Sequence, residues 1–393
     1  MDEAGPSNST SSNGSSAQVD DSPQLEVNTP LTAACLSLDT QGQQDQRDLA
    51  HRDSSTWSLS EQSHFSTGLS VDDDADSALG DVEDQQQSTQ SVRSSIYEYI
   101  EEHGRTFHRY KQGKYWLPND ELEQERLDLQ HTVFTMRLGG ELGLAPIVHP
   151  PDDTTESPPP QSVLDLGTGT GIWAIDFAVK YPSAQVIGTD LSPIQPEYVP
   201  PNCRFEIDDA EDEWLYSDPF DYIHLRMMFH CFRDHLGVMR SALAQLRPGG
   251  YMEWQDWLPI LNSSDDSIKG TALEKWSRLY VEAGGVLGRN MLAPKRYKQW
   301  MLDAGFVDVV ETRLAVPGNP WPKGKDNKRM GFLQMTNFLD GLHASTMTLF
   351  TKGLGWEPEE VEVFLVDMRK AIRNPGIHFY WTTVVVWGRK PLT

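Results

Sequence analysis

The densest group of chemically pointed residues in this sequence is Asp165-Leu166-Gly167-Thr168-Gly169-Thr170-Gly171, set between the apolar run Val163–Leu166 and a helical pattern that opens at Ile172. Glycines let the backbone turn sharply and let a ligand approach where a Cβ would otherwise stand. The amides of the following helix N-terminus then face that ligand. A dinucleotide fingerprint, G-x-G-x-x-G, would place its third glycine at residue 172, which is Ile172. The spacing here is G-x-G-x-G. A carboxylate at Asp165 would repel a pyrophosphate and suits a cationic ligand. S-adenosylmethionine carries a sulfonium, an ammonium and a carboxylate but no phosphate, and it fits this turn better than a dinucleotide. Asp165, Gly167, Thr168, Gly169 and Gly171 are therefore the first candidate cofactor residues.

Further candidates stand at the ends of the next apolar runs. Asp190 closes Gln185–Thr189, where an acid can accept hydrogen bonds from both ribose hydroxyls; a helix cap is the structural alternative. The run Glu206-Ile207-Asp208-Asp209-Ala210-Glu211 closes Cys203–Ile207. Asp209 is the first choice for the adenine amino group and Asp208 the second, the other acids being solvated. Past Tyr222–Leu225 come Arg226 and His230. Arg226 could hold the cofactor carboxylate or an acidic substrate, or pair with nearby acids. His230 could be a general base, although a packed or capping role suits it better. Displacement at a sulfonium has a good leaving group, so positioning and desolvation can supply most of the acceleration. No catalytic dyad is required and none is evident.

These residues need strands to carry them. Val163–Leu166, Gln185–Thr189, Cys203–Ile207, Tyr222–Leu225 and Tyr251–Trp254 read as strands. Ile172–Tyr181 and Met227–Leu246 read as helices, the second followed by an Arg247-Pro248-Gly249-Gly250 turn. Strand–helix alternation at this spacing implies a parallel sheet covered on both faces. Further on, 267–283, 294–304, 328–352 (stopped by Gly353) and 358–373 read as helices, and Phe306–Val316 and His378–Trp387 as strands. Upstream, Asp120 and Glu123 resemble a capping box for a helix over Glu121–Arg137. Four segments follow: residues 1–92, a disordered acidic Ser/Thr/Gln-rich tail; 93–145, an N-terminal helical lid; 146–161, a Pro-rich linker; and 162–391, the cofactor-binding domain.

Composition limits the partners. The formal net charge is −25, and residues 1–92 hold 17 acidic residues against two arginines. Broad phosphate-backbone binding needs Lys and Arg, so no direct nucleic-acid binding is expected. The three cysteines, Cys35, Cys203 and Cys231, form neither a disulfide framework nor a metal site, and no metal is expected. No run approaches the length of a membrane span and the N-terminus has no secretory pattern. An intracellular, soluble protein is expected, with no membrane partner.

Asp165–Gly171, Asp190, Asp208-Asp209 and Leu246-Arg247-Pro248-Gly249-Gly250-Tyr251 together resemble motifs of class I S-adenosylmethionine-dependent methyltransferases. Leu117-Pro118-Asn119-Asp120 with Glu123, Arg126 and His131, and the Phe220–Phe232 stretch, resemble the fungal LaeA-like methyltransferase family. The resemblance spans roughly residues 94–390. It implies a Rossmann-like seven-stranded sheet of order 3-2-1-4-5-7-6 with strand 7 antiparallel, and a lid over the cofactor formed by residues 97–137. It places Asp165 and Gly167 at the methionine end, Asp190 at the ribose, and Asp209 with Ala210 at the adenine. It further implies a methyltransferase in fungal secondary metabolism, as regulator or biosynthetic enzyme, with velvet-type regulatory proteins as partners and a nuclear location; a cytoplasmic one is the alternative. The N/D-P-P-Y/F motif of many amino-group methyltransferases is replaced by Arg226-Met227-Met228-Phe229, which argues against nucleic-acid and protein amino groups as acceptors. The competing reading is a regulatory scaffold that keeps the fold for binding partners with little or no activity.

Overall fold

The computed structural model describes residues 98–148 and 159–393, apart from His103 and Gln112. The acidic tail read over 1–92 and most of the linker read over 146–161 lie outside the described residues.

The chain first forms a small hairpin, β1 (Tyr99–Glu102) and β2 (Arg105–His108), and then helix α1 (Glu121–Arg137). The N-terminal layer is thus part hairpin and part helix. Asp120 caps α1 by accepting from the Glu123 amide at 3.1 Å, and it also holds Arg105. The expected box is only half made, because the Glu123 carboxylate turns to Arg126, 2.8 and 2.9 Å away.

The sheet domain runs β3 (Ser162–Leu166), α2 (Ile172–Lys180), β4 (Gln185–Asp190), β5 (Cys203–Ile207), β6 (Phe220–Arg226), α3 (His235–Gln245), β7 (Leu246–Ser263), α4 (Ala272–Val286), α5 (Tyr297–Ala304), β8 (Val307–Pro317), α6 (Lys325–Leu354), α7 (Pro358–Arg373) and β9 (Phe379–Arg389). The seven strands are ordered β5-β4-β3-β6-β7-β9-β8. All pairs from β5 to β7 are parallel, and β9 is antiparallel to both β7 and β8. This is the implied 3-2-1-4-5-7-6 order. The chain leaves β3 toward β4 and β5, then returns to place β6 on the other side of β3. Such a switch point opens a crevice at the carboxyl ends of the strands. The near-continuous apolar character of β3 and β6 follows from their central position, covered on both faces.

Several boundaries differ from expectation, β7 running over Leu246–Ser263 where only Tyr251–Trp254 was expected, and three of the differences have a clear local cause. The helix read from Met227 begins only at His235, where Asp234 accepts from the Gly237 amide at 2.8 Å. Residues 227–234 form a loop instead. The Met227 amide donates to Gln255 O at 2.9 Å with Met227 at φ +59°, and Glu211 takes the Arg233 and Asp234 amides at 2.7 and 3.1 Å. The Arg247–Gly250 turn is a bulge inside β7, where the pairing with β6 shifts register between Phe220 and Tyr222. Finally, α6 ends at the left-handed Gly355, not at Gly353. A Cβ at Gly353 would lie 2.8 Å from Ala283 O, so that glycine serves the close contact with α4.

Candidate functional site

The crevice above the β3–β6 switch point is lined by the glycine turn, the ends of β4, β5 and β6, and the N-terminal residues Lys114, Tyr115, Pro118, Asn119, Leu127 and Gln130. Asp165, the penultimate residue of β3, is 3% exposed. One carboxylate oxygen accepts from the Thr168 hydroxyl at 2.6 Å and the other from His224 Nδ1 at 2.7 Å. His224 is itself clamped flat against Trp173, with ring centroids 3.8 Å apart. The carboxylate is therefore held rigidly beneath the turn. Gly167 and Gly169 take left-handed φ of +68° and +59°, and Met228 occupies the space a Cβ at 167 would need.

Asp190 ties the turn to β4. Its oxygens accept from the Gly169 amide at 2.9 Å and the Ser192 amide at 2.9 Å. Burial raises its carboxyl above the usual range, against the pull of those amides. The loop after β5 brings Asp208, Asp209 and Ala210 to the same crevice. Asp208 accepts from the Asp209 amide at 2.8 Å, and burial raises its carboxyl. Asp209 accepts from the Glu211 amide at 3.0 Å and pairs with Lys114; Lys111 lies 3.4 Å away. Burial works to raise the Asp209 carboxyl, but these partners outweigh it and hold it below the usual range. Lys114 also reaches Glu211 at 3.2 Å, and its carbonyl accepts from Arg289 at 2.7 Å. The N-terminal layer is thereby fastened onto the acidic loop.

At the end of β6, Arg226 Nη2 donates to His131 Nδ1 at 3.0 Å and the guanidinium lies over the Phe134 ring at 5.3 Å. His131 Nε2 faces Asp176 at 2.9 Å. Two sequence candidates fall outside the lining. Gly171, at φ +81°, opens α2, and a side chain there would strike Phe205; it permits the turn without facing the crevice. His230 is 3% exposed and packs against Trp116 and Tyr115, with ring centroids 5.1 and 5.6 Å apart. Burial drives its pKa down to about 3. Sequence reasoning missed Lys114, Gln130, His224 and Met228. His224 carried a usable signal: a histidine inside an otherwise apolar central strand must find a buried partner. Lys114 and Gln130 carried none.

A methyltransferase domain model matches residues 148–311. Methyltransferase pytC of Aspergillus terreus is 37% identical over 82% of this chain and 96% of its own length. The probable methyltransferase tdiE of Emericella nidulans is 32% identical, covering 77% of this chain and 92% of its own. The protein-methionine methyltransferase laeA of Emericella nidulans is 34% identical, covering 77% and 79%. The chain belongs to the LaeA-like family of class I S-adenosylmethionine-dependent methyltransferases. It is a methyltransferase and S-adenosylmethionine is its cofactor. The crevice of this LaeA-like enzyme fits that cofactor. Its three acids, Asp165, Asp190 and Asp209, stand at the tips of three adjacent strands or just beyond them, next to a glycine turn. An acid row of this kind would oppose a pyrophosphate.

Proposed function

We propose that the crevice holds the cofactor with Asp165, Gly167, Thr168 and Gly169 at its methionine end, Asp190 at the ribose, and Asp208, Asp209 and Ala210 at the adenine. The carrying observation is the convergence of Asp165, Asp190 and Asp209 on one crevice at the switch point. When bound, the cofactor supplies a methyl group on a sulfonium. The chain's own contribution is placement. Asp165, locked by Thr168 and His224, offers a fixed negative charge to the cationic end, so little reorganisation is needed. Asp190 takes the ribose hydroxyls while bracing the glycine turn. The Lys114–Asp209 contact closes the N-terminal layer, the described residues from 98 to 137, over the adenine end as a lid.

Likeness to pytC, tdiE and laeA supports a role in fungal secondary metabolism. The acceptor is a small molecule for a biosynthetic enzyme and a protein for a regulator. A nuclear location and velvet-type partners attach to the regulator reading and rest on family likeness alone. Incubating the purified chain with methyl-labelled cofactor and culture extract of the source organism separates these readings. Label in small molecules supports the biosynthetic role and label in protein the regulatory one. Cofactor binding with no label anywhere would return the chain to the partner-binding scaffold.

A further inference from the structure

Beyond the end of β6 the crevice holds a positive charge, Arg226, that Asp165 and Asp176 favour from a distance without either touching it. Arg226 gives one bond to His131 and lies over Phe134; among the described residues no carboxylate is within ion-pair reach of it. Burial pulls its pKa down to about 10, leaving it charged near neutrality. A buried cation without a paired anion is costly. Gln130 faces the same crevice from α1. It is 5% exposed, and its side-chain amide makes no hydrogen bond among the described residues. Two donors on facing elements thus stand ready for an acceptor group.

Among the described residues no unengaged base adjoins Arg226. Tyr115 and Cys231 line the crevice, and burial raises both well above their usual pKa values. His131 uses both ring nitrogens, one accepting from Arg226 and the other facing Asp176. His224 is bound to Asp165 through Nδ1, and its Nε2 is sealed in the core. An acceptor that had to lose a proton during transfer would find, among the described residues beside Arg226, no free group to receive it.

Resting on the reading of the crevice as the cofactor site, we propose that Arg226 and Gln130 seat the methyl acceptor, and that it arrives as a delocalised oxyanion, a carboxylate or the enolate of a 1,3-dicarbonyl. One oxygen takes the two donors and the other attacks. The attacking oxygen forms a bond to the methyl carbon while the carbon–sulfur bond breaks and its electron pair passes to sulfur. The anion and the sulfonium are both neutralised, no proton leaves, and the product is a methyl ester or enol ether. Exclusion of water favours a displacement that removes charge. The other anion of the same chemistry is the cofactor's own carboxylate. The amides that open α2, beside the glycine turn, offer it a separate seat.

Two measurements test this. First, S-adenosylhomocysteine binding is measured by calorimetry for Arg226→Met and Gln130→Leu, which also shows that each variant folds. Affinity within about threefold of the unsubstituted chain is expected. A loss of about tenfold or more for Arg226→Met, absent with 5′-methylthioadenosine, which has no carboxylate, would assign Arg226 to the cofactor and overturn the proposal. Second, culture extract is divided into acidic, neutral, basic and protein fractions before incubation with labelled cofactor. Transfer is expected only in the acidic fraction, giving a product that no longer partitions as an acid. It should fall about 100-fold in Arg226→Met, less in Gln130→Leu, and recover partly in Arg226→Lys. Label from the neutral, basic or protein fraction overturns the acceptor class and leaves the methyltransferase reading standing. Label from none, with cofactor bound, overturns both.

Discussion

Asp190→Asn tests the ribose assignment with little change in volume. In the unsubstituted chain the Asp190 carboxylate already braces the turn through Gly169 and Ser192, 2.9 Å to each amide. Each carboxylate oxygen can accept more than one bond, so the ribose diol can be added without breaking the brace. Bonds to an ionised acceptor contribute about 1.5–3 kcal/mol each. Asn keeps one acceptor oxygen and replaces the other by a donor that must face an amide N–H. The expected loss is therefore one such bond, about 1.5–3 kcal/mol, or roughly 10- to 150-fold in affinity. Calorimetry with S-adenosylhomocysteine reads this directly. A ligand lacking both ribose hydroxyls should bind the unsubstituted chain weakly and should lose little more on the variant, because both changes delete one interaction. Equal affinity for the variant, or penalties that simply multiply, would refute the contact.

Other outcomes follow from the same geometry. Lys114→Gln removes the cation between Asp209 and Glu211 and should weaken S-adenosylhomocysteine binding about three- to tenfold at low salt, less at high salt; an unchanged constant at both ionic strengths would mean the acidic loop keeps its place without the lid. Gly171→Ala, at φ +81° and against Phe205, should cost about 2–4 kcal/mol of stability in thermal or denaturant unfolding. Asp256 is fully buried, accepts from the Tyr297 hydroxyl at 2.6 Å, and has its carboxyl raised by burial to about 8 against the pull of Tyr297, Trp254 and the Phe229 and Met228 backbone. The folded state binds that proton more tightly than the unfolded chain, whose carboxyl titrates near pH 4. Its contribution is complete below about pH 4 and is lost as pH rises to about 8. Unfolding of Asp256→Asn should lack this decline, so the variant gains on the unsubstituted chain by a few kcal/mol across that window. A constant difference would show that Asp256 does not titrate there.

The strand framework was legible because its residues report burial directly. The runs ending at Leu166 and Ile207 match observed strand ends, and β4 extends one residue past its run to Asp190; the covered strands β3 and β4 admit few polar residues, while the edge strand β5 alternates buried and open positions. Asp190 and Asp208-Asp209 were legible as the acids that follow these runs, and Asp165 as an acid inside an apolar strand. The loop over 227–234 was not. Its apolar Met227, Met228 and Phe229 mimic a helix face, but Asp234 starts the helix late and Glu211, distant in sequence, holds the backbone. The hairpin over 99–108 was hidden by short strands rich in charge. Lys114 and Gln130 were invisible because an isolated polar residue in the N-terminal layer acquires meaning only from what it packs against.

The most direct test of the central claim is a crystal structure of the chain with S-adenosylhomocysteine. The thioether end is expected over Gly167 beside Asp165, both ribose hydroxyls on Asp190, and the adenine edge at Asp209 and Ala210 beneath Lys114. A ligand bound elsewhere, or a crevice closed by Met228 and Tyr115 with no nucleoside density, would contradict it.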